Sequence, residues 1–133
     1  MTDTPELWAV CLCAQWCTTC AAYAHTFAQV RHHLAPAFGH ARFVWIDIED
    51  DADLIDPLDV ENFPTLLVSR GAQALFFGPL TPQPETLQRL LQALWLDPQA
   101  PALTQPEVTR ALTRIIQAHT GGSIGSIADS PRG

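Results

Sequence analysis

Apolar and polar positions alternate along this chain with periods that separate strands from helices. Residues 7–13 form a short, mostly apolar run, consistent with a buried strand. Over residues 17–35 the period changes: Cys20, Tyr23, Phe27, Val30 and Leu34 recur at helical spacing, and Pro36 marks the expected end. Residues 42–48 predict a second strand. Residues 53–58 predict a short helix, irregular near Pro57. Residues 64–69 predict a third strand. Arg70-Gly71-Ala72 is a turn, and residues 74–77 return as a fourth strand closed by Gly78-Pro79. Residues 85–96 predict a helix with Leu87, Leu90, Leu91, Leu94 and Trp95 on one face, and Pro82 and Pro84 stand at its entrance. After a break at residues 97–101, a last helix over 106–119 carries Val108, Ala111, Leu112, Ile115 and Ile116 as one stripe. Thr104 and Glu107 have capping-box spacing at its start.

The opening strand–helix–strand implies a right-handed parallel crossover, and the later hairpin adds antiparallel strands. The expected architecture is α/β: three layers, with a mixed sheet of about four strands between helices and an extra C-terminal helix. One domain is expected over residues 1–120. The tail, 121–133, has no useful periodicity and reads as disordered.

Composition narrows the function. The chain has 133 residues, 47% of them hydrophobic, which suits one globular domain. No apolar run is long enough to span a membrane, and the acidic start does not resemble a secretory signal, so a cytoplasmic location is expected. Net charge is −7. Asp47, Glu49, Asp50, Asp51, Asp53, Asp56, Asp59 and Glu61 follow closely without an Arg, a surface that repels phosphate backbones. Nucleic acid is therefore excluded as a partner, and the acidic run reads as a solvated loop and helix.

The candidate chemistry lies in the cysteines. Cys11, Cys13, Cys17 and Cys20 crowd into one segment, which points to redox or metal chemistry rather than to stapling of distant segments. Cys17 stands where strand gives way to helix. A helix start leaves backbone N–H groups unpaired and carries partial positive charge, so a sulfur there is favoured as the attacking thiolate. Cys20, one turn on, is within reach to close a disulfide. Cys11 and Cys13 share one face of their strand and read as small buried apolar side chains. A sharper reading makes Cys11 a third thiol in communication with Cys20. A four-thiolate zinc site is the chemical rival, but gathering four sulfurs at ~2.3 Å from one metal would dissolve the buried strand, so no metal is expected. His25, His32, His33, His40 and His119 are scattered and read as surface or packing residues.

Ala14-Gln15-Trp16-Cys17-Thr18-Thr19-Cys20 resembles the active-site segment of the thioredoxin family, and Phe63-Pro64-Thr65 resembles that family's cis-proline segment. A Cys-x-x-Cys pair beside a βαβ pattern is itself a mark of thioredoxin-like redox proteins. Gly78 stands where family members place a glycine after the hairpin. The resemblance covers residues 7–96. It implies a thiol–disulfide oxidoreductase acting on protein disulfides, with Cys17 as nucleophile and Cys20 as resolving thiol. No cofactor is implied beyond a redox-active Cys17–Cys20 disulfide. The implied partners are protein disulfide substrates and an unidentified reductase. Trp16, Phe63, Gly78 and Pro79 would line a shallow apolar groove around Cys17, with Pro64 facing the cysteines and Thr65 following it.

Three departures stand beside the resemblance. The extra strand and helix with which family members begin has no counterpart in the six residues before Leu7. The helix over 106–119 is a candidate substitute, packing on the sheet; a dimer contact through the same stripe is the rival. The buried Asp beneath the second active-site Cys is replaced by Cys11, and its paired Lys by Trp45, so the family's proton relay is absent. Thr18-Thr19 replaces the common Gly-Pro, and His25 replaces a proline. These losses sustain a second reading, a thioredoxin-fold binding or assembly module without significant redox turnover.

Overall fold

The computed structural model describes residues 6–14, 16–56, 58 and 60–120. The expected disordered tail lies outside the described residues. In chain order the elements are β1 (Leu7–Cys13), α1 (Thr18–Phe38), β2 (Arg42–Asp47), α2 (Ala52–Ile55), β3 (Thr65–Arg70), β4 (Gln73–Pro79), α3 (Pro84–Leu96) and α4 (Pro106–Thr120).

The strands form one mixed sheet in the order β2-β1-β3-β4. β1 runs parallel to β2, with Cys11 beside Trp45, and antiparallel to β3. β3 and β4 form the antiparallel hairpin. Gly71 takes φ 58 at its turn, a conformation that glycine adopts without a Cβ clash. This is the mixed α/β sheet the pattern predicts, and it agrees with the fold the resemblance implies.

Side-chain parity along β1 sorts two cores. Leu7, Ala9, Cys11 and Cys13 face α1 and α3, packing with Tyr23, Phe27, Leu87 and Leu91. Trp8, Val10 and Leu12 face the other way, against Ile55 of α2 and Val108, Leu112 and Ile115 of α4. A strand buried on both faces has no polar positions, which explains its unbroken apolar run. The stripe of α4 is thus spent on the sheet of its own chain. Arg114 reinforces the docking by donating to the backbone oxygens of Asp53 and Asp56 at the end of α2.

Four local expectations are corrected. α1 does not stop before Pro36 but carries it and ends at Phe38. A proline in the last turn forfeits one N–H, and burial of Phe38 against Trp95, centroids 5.3 Å apart, holds that turn in place. α2 is shorter than 53–58: Asp56, which precedes Pro57, turns extended (ψ 132), because proline disfavours helical geometry in the residue before it. β4 runs through Gly78 and Pro79 rather than being closed by them, with Thr65 opposite Pro79. β4 is the sheet edge, where the missing proline N–H costs no ladder bond. Finally, α4 starts at Pro106, with the Gln105 oxygen accepting from the Val108 and Thr109 amides. Thr104 therefore stands one residue too early for its expected cap.

Candidate active site

The turn between β1 and α1 builds the site. The Cys17 N–H donates to the Ala14 oxygen at 3.1 Å, reversing the chain directly after the strand. Cys17 is the N-cap of α1, in extended conformation, and its oxygen accepts from the Cys20 and Ala21 amides. Its thiol is free and half-buried. Cys20 points from the first turn back to the sheet and is 2% exposed.

The expected Cys17–Cys20 bond is not the one formed. Cys20 is bonded to Cys13, the last residue of β1, with Cα atoms 5.8 Å apart. The reason is geometric. The tight reversal at Ala14–Cys17 sets the first turn of α1 above the end of β1, and odd-numbered residues of that strand face α1. Cys13, read as inert packing, therefore belongs to the site. The signal available in the sequence was its parity combined with its place at the strand's end.

Cys11 is not the thiol that reaches Cys20. It is fully buried and free, with its Sγ 3.8 Å from Cys13 Sγ. Burial pushes its pKa far above the ordinary thiol range. Tyr23 lies over the same region. Its hydroxyl is buried without a hydrogen-bond partner, and its pKa is raised by burial first and by Cys11 second. Cys11 and Trp45 lie side by side on β1 and β2. Trp45 packs on Phe27, centroids 5.9 Å apart.

A second loop meets the first. The Phe63–Pro64 peptide is cis. The Phe63 ring meets Trp16 edge to face, centroids 5.5 Å apart, and Trp16 Nε1 donates to Glu49 Oε2 at 2.9 Å. Trp16 is 64% exposed, and Phe63 and Gly78 are half-buried. Pro64 and Thr65 are buried, so neither offers a side-chain surface to solvent. Thr65 Oγ1 instead donates to the Asn62 oxygen at 2.5 Å, and the Pro64 oxygen accepts from the Leu80 amide. A Cβ on Gly78 would meet Phe76 at an ordinary 3.5 Å, so the packing does not demand glycine there.

The acidic segment is partly structural. Asp47 Oδ1 accepts from the Glu49 and Asp50 amides, turning the chain after β2. His25, His32, His33, His40 and His119 are exposed. Among the described residues, no group of three or more His, Cys, Asp or Glu side chains is arranged to hold a metal, and no helix is long and apolar enough to cross a membrane.

A sulfur-bearing helix cap over a mixed sheet, beside a cis-proline turn, defines a thioredoxin-type architecture. The thioredoxin family model matches residues 2–90, and the chain belongs to that family. Solved structures agree on the fold. The germline-specific thioredoxin Deadhead of Drosophila melanogaster is 19% identical, with a TM-score of 0.58 over 68% of this chain and 82% of that one. Chloroplastic thioredoxin z is 23% identical, with a TM-score of 0.56 over 70% and 81%. The first two thioredoxin domains of Saccharomyces cerevisiae Eps1p are 17% identical, with a TM-score of 0.62 over 72% of this chain and 38% of that one. Comparison with curated proteins finds no match. α4 lies beyond the family match, which ends at residue 90.

Proposed function

We propose that this protein is a thiol–disulfide oxidoreductase that reduces or exchanges disulfides of protein partners through Cys17 and Cys20. The observation that carries the reading is a free, half-buried Cys17 at the N-cap of α1, with the sulfur of Cys20 already in a disulfide one turn away. In the reduced protein, Cys17 thiolate attacks a partner disulfide. One Cys17–partner bond forms, and the partner's other sulfur leaves as thiolate. Cys20 thiolate then attacks Cys17 Sγ and releases the second partner sulfur. Two electrons pass from the cysteine pair to the partner, so no organic cofactor is needed, and a reductase must restore the thiols. Trp16, Phe63 and Gly78 offer an apolar seat for an extended substrate segment. The reading places the protein in the cytoplasm, where crowded thiols of this kind serve redox chemistry rather than scaffolding.

Reduction of insulin by dithiothreitol tests this reading. A rate above background that disappears in Cys17→Ser is expected. The second reading, a binding or assembly module, is favoured by one observation: Cys20, the resolving thiol, is held by Cys13. No rate above background for the wild type would establish that reading instead.

A further inference from the structure

We propose that Cys13 is a third redox-active cysteine, which draws the disulfide inward after Cys17 has reacted and leaves Cys17 a free thiol in the oxidised protein. The proposal rests on the reading above for the reactivity of Cys17. It goes further in giving the resting oxidised state to Cys13–Cys20.

The geometry assigns each sulfur a place. Cys13 and Cys20 are 1% and 2% exposed, whereas Cys17 is half-buried at the helix cap. Cys20 therefore lies between an outer and an inner partner: Cys17 within its own helical turn, and Cys13 beneath it with Cα atoms 5.8 Å apart, inside the ordinary range for a disulfide. Cys11 stands 3.8 Å from Cys13 and is not the sulfur that Cys20 meets, which is that of Cys13.

The inward step balances without another reagent. Cys13 gives up its proton and attacks Cys20 Sγ of the Cys17–Cys20 disulfide as the thiolate. The Cys13–Cys20 bond forms, the Cys17–Cys20 bond breaks, and the Cys13 proton passes to the departing Cys17 sulfur. The total of thiols and disulfides is unchanged. Across the whole cycle Cys13 and Cys20 supply the two electrons, and Cys17 ends as it began. The consequence is an oxidised protein whose disulfide is sealed from solvent while its accessible sulfur remains a nucleophile. Recharging then begins with Cys17 attacking Cys20, which returns the disulfide to the surface.

The sequence supplies a clean test. Chymotrypsin cuts after Trp16 and Tyr23, which separates Cys13 from a 17–23 peptide carrying both Cys17 and Cys20. The full-length protein is oxidised with glutathione disulfide, quenched in acid at intervals, alkylated in denaturant and digested. Early samples should show a 17–23 peptide closed on itself. The final product should be that peptide joined to the one ending at Trp16, with Cys17 alkylated. Cys13→Ser should stop at the self-closed peptide. Cys17→Ser should form the Cys13–Cys20 link roughly tenfold or more slowly, because the accessible attacking thiol is gone.

A wild-type end product with Cys17 and Cys20 joined and Cys13 alkylated overturns the proposal, even if insulin reduction remains Cys17-dependent. Formation of Cys13–Cys20 in Cys17→Ser at the wild-type rate overturns it too. Absence of insulin reduction, with the Cys17-dependent transfer to Cys13 intact, refutes the protein-substrate reading and leaves the inward transfer standing.

Discussion

Trp16 and Phe63 meet edge to face, with ring planes at 87° and centroids 5.5 Å apart. This contact joins the loop that carries Cys17 to the turn that carries the cis-proline. Glu49 pins the indole from a third loop. Trp16 is mostly exposed, so its contribution to global stability is small, and its main effect is on how the two loops present a surface. Trp16→Ala should lower the unfolding free energy read from urea denaturation by no more than about 1 kcal/mol. It should slow insulin reduction several-fold, mainly through KM. An unchanged KM with lowered stability would assign Trp16 to packing alone.

The Cys13–Cys20 disulfide closes a short loop, with a sequence separation of 7. Restricting so short a segment in the unfolded chain stabilises the fold by about 2–3 kcal/mol. Urea denaturation should therefore give a higher midpoint for the oxidised protein than for the same protein in excess reductant. Equal midpoints would mean that strain in the folded state cancels the loop restriction.

α4 lies beyond the family match yet buries Val108, Ala111, Leu112 and Ile115 to 1% exposure or less. These side chains cover the face of the sheet presented by Trp8, Val10 and Leu12. Leu112→Ala should cost about 2–5 kcal/mol, as for other truncations of buried leucines. Because the helix docks on its own chain, that loss should be independent of protein concentration in a thermal melt. A midpoint that rises with concentration would point to the dimer contact instead.

Much of this fold is legible in the sequence because each element shows its own periodicity. The stripe Cys20, Tyr23, Phe27, Val30, Leu34 is buried as its spacing predicts, and the all-apolar β1 proves to be the strand covered on both faces. What local pattern misses is set by tertiary contact. Phe38 anchors a helical turn past Pro36 by packing on Trp95, and pairing with Thr65 extends β4 to Pro79. The site shows the same division. Cys17 at a helix start beside a Phe-Pro-Thr turn was readable from short motifs. The partner of Cys20 was not, since it depends on how far the chain reverses after Ala14. Strand parity put Cys13 on the α1 side, but only the fold sets it beneath Cys20 rather than among bland core residues.

Tyr23 places a hydroxyl among apolar side chains with no hydrogen-bond partner. Such a group loses its hydration on folding and receives nothing in return. Tyr23→Phe keeps the ring and removes that cost. It should leave stability unchanged or raise it by up to about 1 kcal/mol, read from urea denaturation. A loss of about 2 kcal/mol or more would show that the hydroxyl is bonded in solution.

Cys11 and Tyr23 also give stability a definite dependence on alkaline pH. Both are acids whose charged form is disfavoured by burial, so both pKa values rise on folding, from ordinary values of 9.0 and 10.0. Below pH 9 the two groups are protonated in folded and unfolded chains alike, and their contribution is fully present. As pH rises past 9 the unfolded chain releases these protons while the folded chain retains them. The unfolded state then binds fewer protons, and stability falls with increasing pH. Denaturation of the oxidised protein, in which Cys13 and Cys20 are held in their disulfide, should show this decline starting near pH 9 for Cys11 and steepening above pH 10 as Tyr23 joins. Cys11→Ala should remove the first part of the slope and Tyr23→Phe the second, whatever each does to stability at neutral pH. A wild-type slope retained in the Cys11→Ala, Tyr23→Phe double variant would assign the alkaline loss to other groups.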